Sequence, residues 1–258
     1  SYVQMGVRVM NNIFEEAYDG LAAVYEKWCT GDMAYVSCKN FYINYLKNID
    51  GILVELGVGT GRIACTLVEE YHKNIIGIDT SEEMLALASK KISMNHCGGN
   101  IRLIKENMLE LALPNPVSCI YLPFRTIGHI IHKQDVIRLF ERIRMNLKDG
   151  GHFLFDHYIF DREWAENHNR VRIKMYEDRA ISIEDYYRYD FNKQLMDCSV
   201  YVNEKEVARF PFAYRDVSYY EEILRLTGFR IENLYGEYDM SEMTNNSRHQ
   251  IYVCIKDR

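Results

Sequence analysis

The chain has 258 residues, of which 48% are hydrophobic and 26% charged, and this is enough for one globular domain with a full core and an insertion. Its net charge of −6, without any run of Lys and Arg, argues against an extended nucleic-acid surface and against a role on a membrane surface. The seven cysteines form no Cys-x-x-Cys pair, and no cluster has metal-ligand spacing. We therefore expect reduced thiols, a cytoplasmic protein and no metal site.

Two helices are predicted before the first strand, over residues 12–29 and about 34–46. The apolar side of the first helix would carry Phe14, Tyr18, Leu21, Ala22, Tyr25 and Trp28. We expect residues 1–50 to form a helical cap. Packing of aromatic rings in a core is the competing interpretation for Tyr25.

A strand, a tight turn and a helix are predicted over residues 51–71. The apolar run 52–56 leads into glycines at 57, 59 and 61, and helical apolar spacing follows from Ile63 to Tyr71. Glycine suits this turn because it adopts positive φ and because it lets a ligand approach the backbone at the helix start. The turn is therefore a candidate ligand-binding loop.

The spacing of the glycines indicates which ligand. A dinucleotide-binding loop has Gly-x-Gly-x-x-Gly, whereas here the third glycine comes one residue early, at Gly61, and Arg62 takes the expected place. Glu55 would repel a pyrophosphate but can accept a hydrogen bond from an ammonium group. Glu55-x-Gly57-x-Gly59-x-Gly61 resembles motif I of the class I S-adenosylmethionine-dependent methyltransferases.

This resemblance implies an α/β fold with a doubly wound, mostly parallel seven-stranded sheet. It also implies that the glycine loop lies along the aminocarboxypropyl arm of S-adenosyl-L-methionine, that S-adenosyl-L-homocysteine is the product, and that Tyr18 and Tyr25 of the cap close over the cofactor.

The second strand, 74–79, delivers the carboxylate of Asp79, 22 residues after Gly57, where nucleotide-binding sheets bind ribose hydroxyls. Thr80 and Glu83 have the spacing of a capping box for the next helix. Asp-x-Ser-x-x-Met-Leu, from Asp79, resembles the family's second motif. That resemblance places Thr80 at the cofactor and Met84 near the adenine, with a plain core position as the alternative for Met84.

The third strand is predicted over 101–104. In the family, an acidic or amide side chain and a backbone N–H after this strand bind adenine, and the resemblance gives these roles to Asn107 and Met108. Asn107 offers both a donor and an acceptor, although the family usually has Asp there.

The fourth strand, 117–122, ends at Leu122, which should face the sulfonium. The residues after this strand lack the Asp/Asn-Pro-Pro-Tyr/Phe motif of DNA and protein-glutamine methyltransferases. This absence argues against DNA and protein glutamine as substrates. Phe124-Arg125-x-x-x-His129 instead resembles small-molecule methyltransferases, including those that N-methylate nucleotide-linked aminosugars.

His129 is our candidate general base, because an imidazole can take the proton that an attacking amine or hydroxyl loses; a structural histidine is the alternative. Tyr18 is the second catalytic candidate. Arg125 would bind an anionic substrate group or cap the strand end, and Phe124 would lie against the substrate.

The fifth strand, 151–156, is followed by His157 and Tyr158, which we expect in the wall of the acceptor pocket, with loop exposure as the alternative. Between Arg170 and Arg215 the apolar period changes to two, which predicts four antiparallel strands. We therefore expect residues 51–160 and 216–258 to form the cofactor-binding domain. Residues 161–215 would form a lid or a homodimer contact, with Arg215 a candidate for substrate binding.

The remaining elements are a helix capped by Ser218 and Glu221 and ending at 227–228, and strands over 229–235 and 249–256. The sequence thus predicts methyl transfer from S-adenosylmethionine to a nitrogen or oxygen of a small molecule. A cofactor-binding module without catalysis is an alternative. An NAD-dependent oxidoreductase is disfavoured by the glycine spacing and by Glu55.

Overall fold

The computed structural model describes residues 13–95 and 100–257. Its strands are β1 (Ile52–Leu56), β2 (Asn74–Asp79), β3 (Ile101–Lys105), β4 (Val117–Leu122), β5 (Leu147–Tyr158), β6 (Arg172–Glu177), β7 (Ser182–Asp190), β8 (Leu195–Val202), β9 (Lys205–Ala213), β10 (Phe229–Tyr235) and β11 (His249–Lys256). Seven of these strands form one sheet in the order β10-β11-β5-β4-β1-β2-β3. The strands from β5 to β3 pair in parallel, and β11 is antiparallel to both of its neighbours. The predicted doubly wound sheet is confirmed.

The helices are α1 (13–21), α2 (Tyr25–Cys29), α3 (Tyr35–Leu46), α4 (Arg62–Tyr71), α5 (Glu82–Met94), α6 (Lys133–Asn146), α7 (Arg162–His168) and α8 (Val217–Leu226). On one face of the large sheet, α3 and α4 bury their apolar sides against residues such as Leu53. On the other face, α6 and α8 pack against residues such as Val54. Because successive residues of a strand point to opposite faces, β1 supplies both cores.

A second sheet, β6-β7-β8-β9, is an antiparallel meander between β5 and α8. Its apolar face packs on the cap, and a third core cluster joins Leu21 of α1 to Ile183, Val200 and Phe210 of the meander. The predicted helix over 12–29 is interrupted by a 3₁₀ turn at Ala22–Val24. Residues 1–12 of the predicted cap lie outside the described residues.

Both predicted capping boxes are wrong. The side chain of Ser81, not Thr80, accepts the N–H of Met84 at 3.1 Å and begins α5. Asp216, not Ser218, accepts the N–H of Tyr219 at 3.0 Å and begins α8. Each stretch offers two capping side chains in close succession. At the start of α5, Asp19 of α1 accepts a hydrogen bond from the Ser81 hydroxyl at 2.5 Å, and this contact favours Ser81 as the cap.

Strand β5 is longer than predicted, since it begins at Leu147 and includes His157 and Tyr158. Helix α6 ends at Asn146, directly before this strand. Helix α7 was not predicted. Among the described residues, no helix combines the length and apolar character needed to cross a bilayer.

Candidate cofactor and acceptor site

Two neighbouring cavities lie at the carboxyl ends of β1, β2 and β4, beneath the cap. The first is lined by the glycine loop, by the ends of β2 and β3 and by α1. The second has a volume of about 1250 Å³ and extends between the cap, the meander and residues 236–249. Four residues border both cavities: Tyr18, Tyr25, Thr126 and His129.

The glycine loop adopts positive φ at all three predicted positions, +70° at Gly57, +52° at Gly59 and +76° at Gly61. Gly57 and Gly59 line the first cavity, and a Cβ on Gly59 would meet no atom within 4 Å. A Cβ on Gly61 would instead lie 3.2 Å from the Cys65 sulfur. Gly59 thus leaves room for a ligand, whereas Gly61 lets α4 and α5 approach each other.

Asp79 lies at the end of β2 and borders the first cavity. One carboxylate oxygen accepts the N–H of Gly59 at 2.8 Å and the other accepts the N–H of Ser81 at 3.0 Å. Burial raises the pKa of this carboxyl, and the backbone hydrogen bonds oppose that rise. Each oxygen keeps a free lone pair, so the carboxylate can accept a hydroxyl from a bound ligand.

Asn107, Thr80, Met84 and Met108 also border the first cavity. The Asn107 side-chain oxygen accepts the N–H of Leu109 at 3.0 Å, while its Nδ2 is buried without a hydrogen-bond partner. The Asn107 side chain can therefore donate to a ligand through Nδ2, whereas its oxygen already accepts a hydrogen bond. Met84 is 1% exposed, so it belongs to the core as well as to the cavity wall.

Besides Gly61, three further predicted cofactor residues do not line this cavity. Glu55 is 3% exposed and accepts the Tyr121 hydroxyl at 2.9 Å, and burial raises its pKa to about 8. The Arg62 guanidinium donates to the backbone carbonyl of Tyr35 at 2.7 Å and stacks on the Tyr35 ring. Leu122 is buried in the core on the α6 side. Their positions give no direct contact with a molecule in the cavity.

The Tyr18 hydroxyl and His129 Nε2 are 2.6 Å apart. Aromatic rings surround the imidazole, with ring centres 4.9 to 5.3 Å away at Phe14, Phe210 and Phe212. This burial lowers the pKa of His129 to about 3 and raises that of Tyr18 well above its usual value. Both groups are therefore uncharged at neutral pH.

The turn after β4 has two consecutive non-glycine residues at positive φ, Phe124 at +57° and Arg125 at +63°. Both backbone N–H groups donate to the buried carboxylate of Asp156, at 2.8 and 3.0 Å. The hydroxyls of Tyr42 and Tyr238 donate to the same carboxylate, each at 2.6 Å. This strained conformation therefore depends on Asp156.

Arg125, Phe124 and Tyr158 line the second cavity, as predicted for substrate contacts. The Arg125 charge is neutralised by an ion pair with Asp32, so Arg125 is not a free cation for an anionic substrate.

His157 and Arg215 do not line the second cavity. His157 is fully buried and its Nε2 lies 2.9 Å from the Ala213 carbonyl. Arg215 donates to the Gln194 and Ile131 carbonyls, at 2.7 and 3.2 Å. Their positions do not support the predicted substrate contacts.

A methyltransferase domain family matches residues 53–151. These residues hold the glycine loop, Asp79, Asn107 and the strained turn after β4. The predicted resemblance to the class I S-adenosylmethionine-dependent methyltransferases is confirmed over this matched part of the chain. S-adenosyl-L-methionine is its cofactor, and the two free features of the first cavity, the Asp79 lone pairs and the Asn107 Nδ2 donor, fit its ribose hydroxyls and an adenine acceptor.

Sequence relatives of this methyltransferase include YqeM of Bacillus subtilis, which carries a methyltransferase name. The two are 24% identical, over 93% of this chain and 98% of YqeM. A second relative is CRG1 of Saccharomyces cerevisiae, named as a probable S-adenosylmethionine-dependent methyltransferase, with 28% identity over 67% of this chain. The match covers only about half of CRG1, 53% of its length.

Solved structures confirm the fold of the methyltransferase. CcbJ methyltransferase of Streptomyces caelestis superimposes with a TM-score of 0.81 at 17% identity, over 95% of this chain and 99% of CcbJ. The sugar N-methyltransferase KedS8 of Streptoalloteichus gives a TM-score of 0.63 at 14% identity, over 86% of this chain and 87% of KedS8.

Sequence reasoning missed several residues of the methyltransferase's second cavity. Asp185 of β7 is 1% exposed and accepts Trp28 Nε1 at 2.7 Å and the Tyr187 hydroxyl at 2.6 Å. Burial raises its pKa to about 6. Asp32 and Asp156 were also missed. Arg125 lies 93 residues from Asp32, and Tyr42 lies 114 residues from Asp156. The one available signal was that polar residues interrupt otherwise apolar segments.

Proposed function

We propose that this methyltransferase transfers the methyl group of S-adenosylmethionine to a nitrogen or oxygen of a small molecule held in the second cavity, with S-adenosylhomocysteine as the product. The observation that carries the proposal is the shared border of the two cavities, formed by Tyr18, Tyr25, Thr126 and His129. A cofactor in the first cavity and an acceptor in the second would meet at these four residues.

Methyl transfer requires the protein to position the cofactor and the acceptor and to remove one proton. Methyl transfer is an in-line displacement, so the acceptor atom must be held about 3–3.5 Å from the methyl carbon. The acceptor then loses a proton, which the uncharged Tyr18 and His129 pair can take up. No metal is needed for this step.

The size and walls of the second cavity support a small-molecule acceptor. Its volume of about 1250 Å³ is somewhat larger than most small-ligand sites, so it has room for a bulky small molecule. Its walls carry many aromatic rings, among them Trp28, Tyr187, Tyr189, Phe210 and Phe212, which suit a ring-shaped or amine-bearing molecule. The name of KedS8 refers to a sugar, so sugars are one class of acceptor to test. Amines are the first acceptors to be tested.

The test has two stages. Isothermal titration should give binding of S-adenosylmethionine and S-adenosylhomocysteine but not of NADH. Production of S-adenosylhomocysteine is then followed with a panel of amines, alcohols and phenols. Release of product with at least one acceptor supports the proposal. Cofactor binding without turnover on any acceptor would favour a non-catalytic module, and binding of NADH alone would overturn the whole assignment.

A further inference from the structure

Among residues 13–95 and 100–257, five buried side-chain atoms have no hydrogen-bond partner. They are Asn107 Nδ2, Arg125 Nε, His129 Nδ1, Tyr219 Oη and His249 Nδ1. Each such atom costs about 1–3 kcal/mol, so a cluster of them calls for an explanation. Arg125, His129 and His249 all border the acceptor cavity. A ligand in that cavity could supply the missing partners.

Arg125 contributes a hydrogen-bond donor. Its two terminal nitrogens bind Asp32, whereas the buried Nε–H has no hydrogen-bond partner. The group lies near the ring faces of Phe124 and Tyr158, 5.5 and 5.6 Å from their centres. The rings and the ion pair hold the guanidinium in place at the cavity wall.

His249 contributes an acceptor. It is 8% exposed, and burial followed by the nearby Arg125 charge lowers its pKa to about 4, so the ring is neutral at pH 7. Its Nε2 lies 3.7 Å from a carboxylate oxygen of Glu237. That negative charge favours the proton on Nε2 and leaves a lone pair on Nδ1.

The charges around the cavity exclude an anionic group. Among the described residues, four cations line the wall, and each is paired with a carboxylate: Arg125 with Asp32, Arg162 with Glu166, Lys174 with Glu177 and Arg248 with Glu237. Asp185 and Asp239 line the same wall, and no ion pair compensates them there. A phosphate or carboxylate would therefore meet net negative charge.

We propose that Arg125 Nε–H and His249 Nδ1 form a subsite for a hydroxyl group on an uncharged part of the acceptor. A hydroxyl fits because it accepts from Arg125 with its lone pair and donates its proton to His249. A phosphate would instead bring its negative charge to a wall that already carries uncompensated carboxylates. The inference rests on the proposed function, since it takes this cavity to be the place of the acceptor.

The test uses protein with ¹⁵N-labelled histidine and arginine, saturated with S-adenosylhomocysteine, and two simple probes, glycerol and inorganic phosphate. We expect the His249 ring to carry its proton on Nε2. Glycerol, titrated to molar concentration, should shift the His249 Nδ1 and Arg125 Nε–H signals, and phosphate should shift neither. A proton on Nδ1, a response to phosphate, or no response to glycerol would each overturn the subsite.

Variants separate the subsite from general effects on folding. His249→Asn keeps an acceptor near the position of Nδ1 and should keep the Arg125 response to glycerol, whereas His249→Phe should weaken it about tenfold. His152→Phe, at the other end of the β5 and β11 pair, is the matched control and should behave like the wild type. An unchanged response in His249→Phe contradicts the proposal. Calorimetry of S-adenosylhomocysteine is read separately, since its failure would contradict the proposed function itself.

Discussion

The Tyr18 hydroxyl lies 2.6 Å from Nε2 of His129, although 111 residues separate them in the sequence. The contact joins the cap to the turn after β4, at the border of the two cavities. A pair of uncharged, hydrogen-bonded groups in this position can accept a proton without a charge being buried beforehand. The proposed catalytic step therefore depends on the cap being closed.

Replacing either member of this pair should reduce turnover more than cofactor binding. We expect His129→Ala to lower kcat by about 10² or more, the usual contribution of a general base, with little change in the Kd of S-adenosylmethionine. Tyr18→Phe should follow the same trend, and Tyr71→Phe, an exposed tyrosine at the end of α4, is its control. Equal losses of kcat and cofactor affinity would make His129 a binding residue.

A side chain at Gly59 should block the cofactor. In Gly59→Val the new atoms enter the first cavity, where the Cβ meets nothing within 4 Å, so titration should show no binding of S-adenosylmethionine. Gly150→Val is a matched control, because Gly150 also has positive φ, +72°, and open space around it. Both variants should lose about 1–2 kcal/mol of stability from backbone strain. Unchanged cofactor affinity in Gly59→Val would contradict the assigned loop.

Glu55 should make the stability of the cofactor-free protein depend on pH. Its pKa is raised to about 8 in the folded state from about 4.3 in an unfolded chain. The folded state therefore binds the proton more tightly, and the stability this gives is complete below about pH 4 and lost as the pH rises through 8.

Glu55→Gln, which is always neutral, should accordingly become the more stable protein as the pH rises from 5 to 9, by on the order of 2–4 kcal/mol. Urea unfolding at several pH values measures the difference. Glu70→Gln, an exposed change on α4, should track the wild type at every pH. A difference between wild type and Glu55→Gln that does not change with pH would show that Glu55 is ionised in the folded protein.

Asp156→Asn should destabilise the turn at Phe124 and Arg125. The amide has one acceptor oxygen, and its NH₂ would face a backbone N–H that now donates to the carboxylate. We expect a loss of about 2–3 kcal/mol in urea unfolding. Asp149→Asn, which changes an exposed carboxylate on the same strand that pairs with Lys256, should cost far less. Equal effects would mean that Asp156 does not hold the turn.

The sequence predicted well what depends on local pattern. Strands β2, β4, β10 and β11 have the predicted bounds because each combines an apolar run with clear turn residues at its ends. The glycines at 57, 59 and 61 predicted the tight turn between β1 and α4, and all three have positive φ. Choices settled by distant partners failed, as in the capping of α5, where Asp19 favours Ser81. His157 could not be assigned because its partner, Ala213, lies in the meander.

The third core cluster has a consequence for synthesis of the chain on the ribosome. The apolar face of the cap, including Ala17 and Leu21, is covered by β7, β8 and β9, whose buried residues run from Ile183 to Phe212. The cap is made first, but the residues that cover it emerge only after most of the chain has been translated. The glycine loop can therefore form long before the meander that packs on the cap. The second cavity is among the last parts of the protein to be completed.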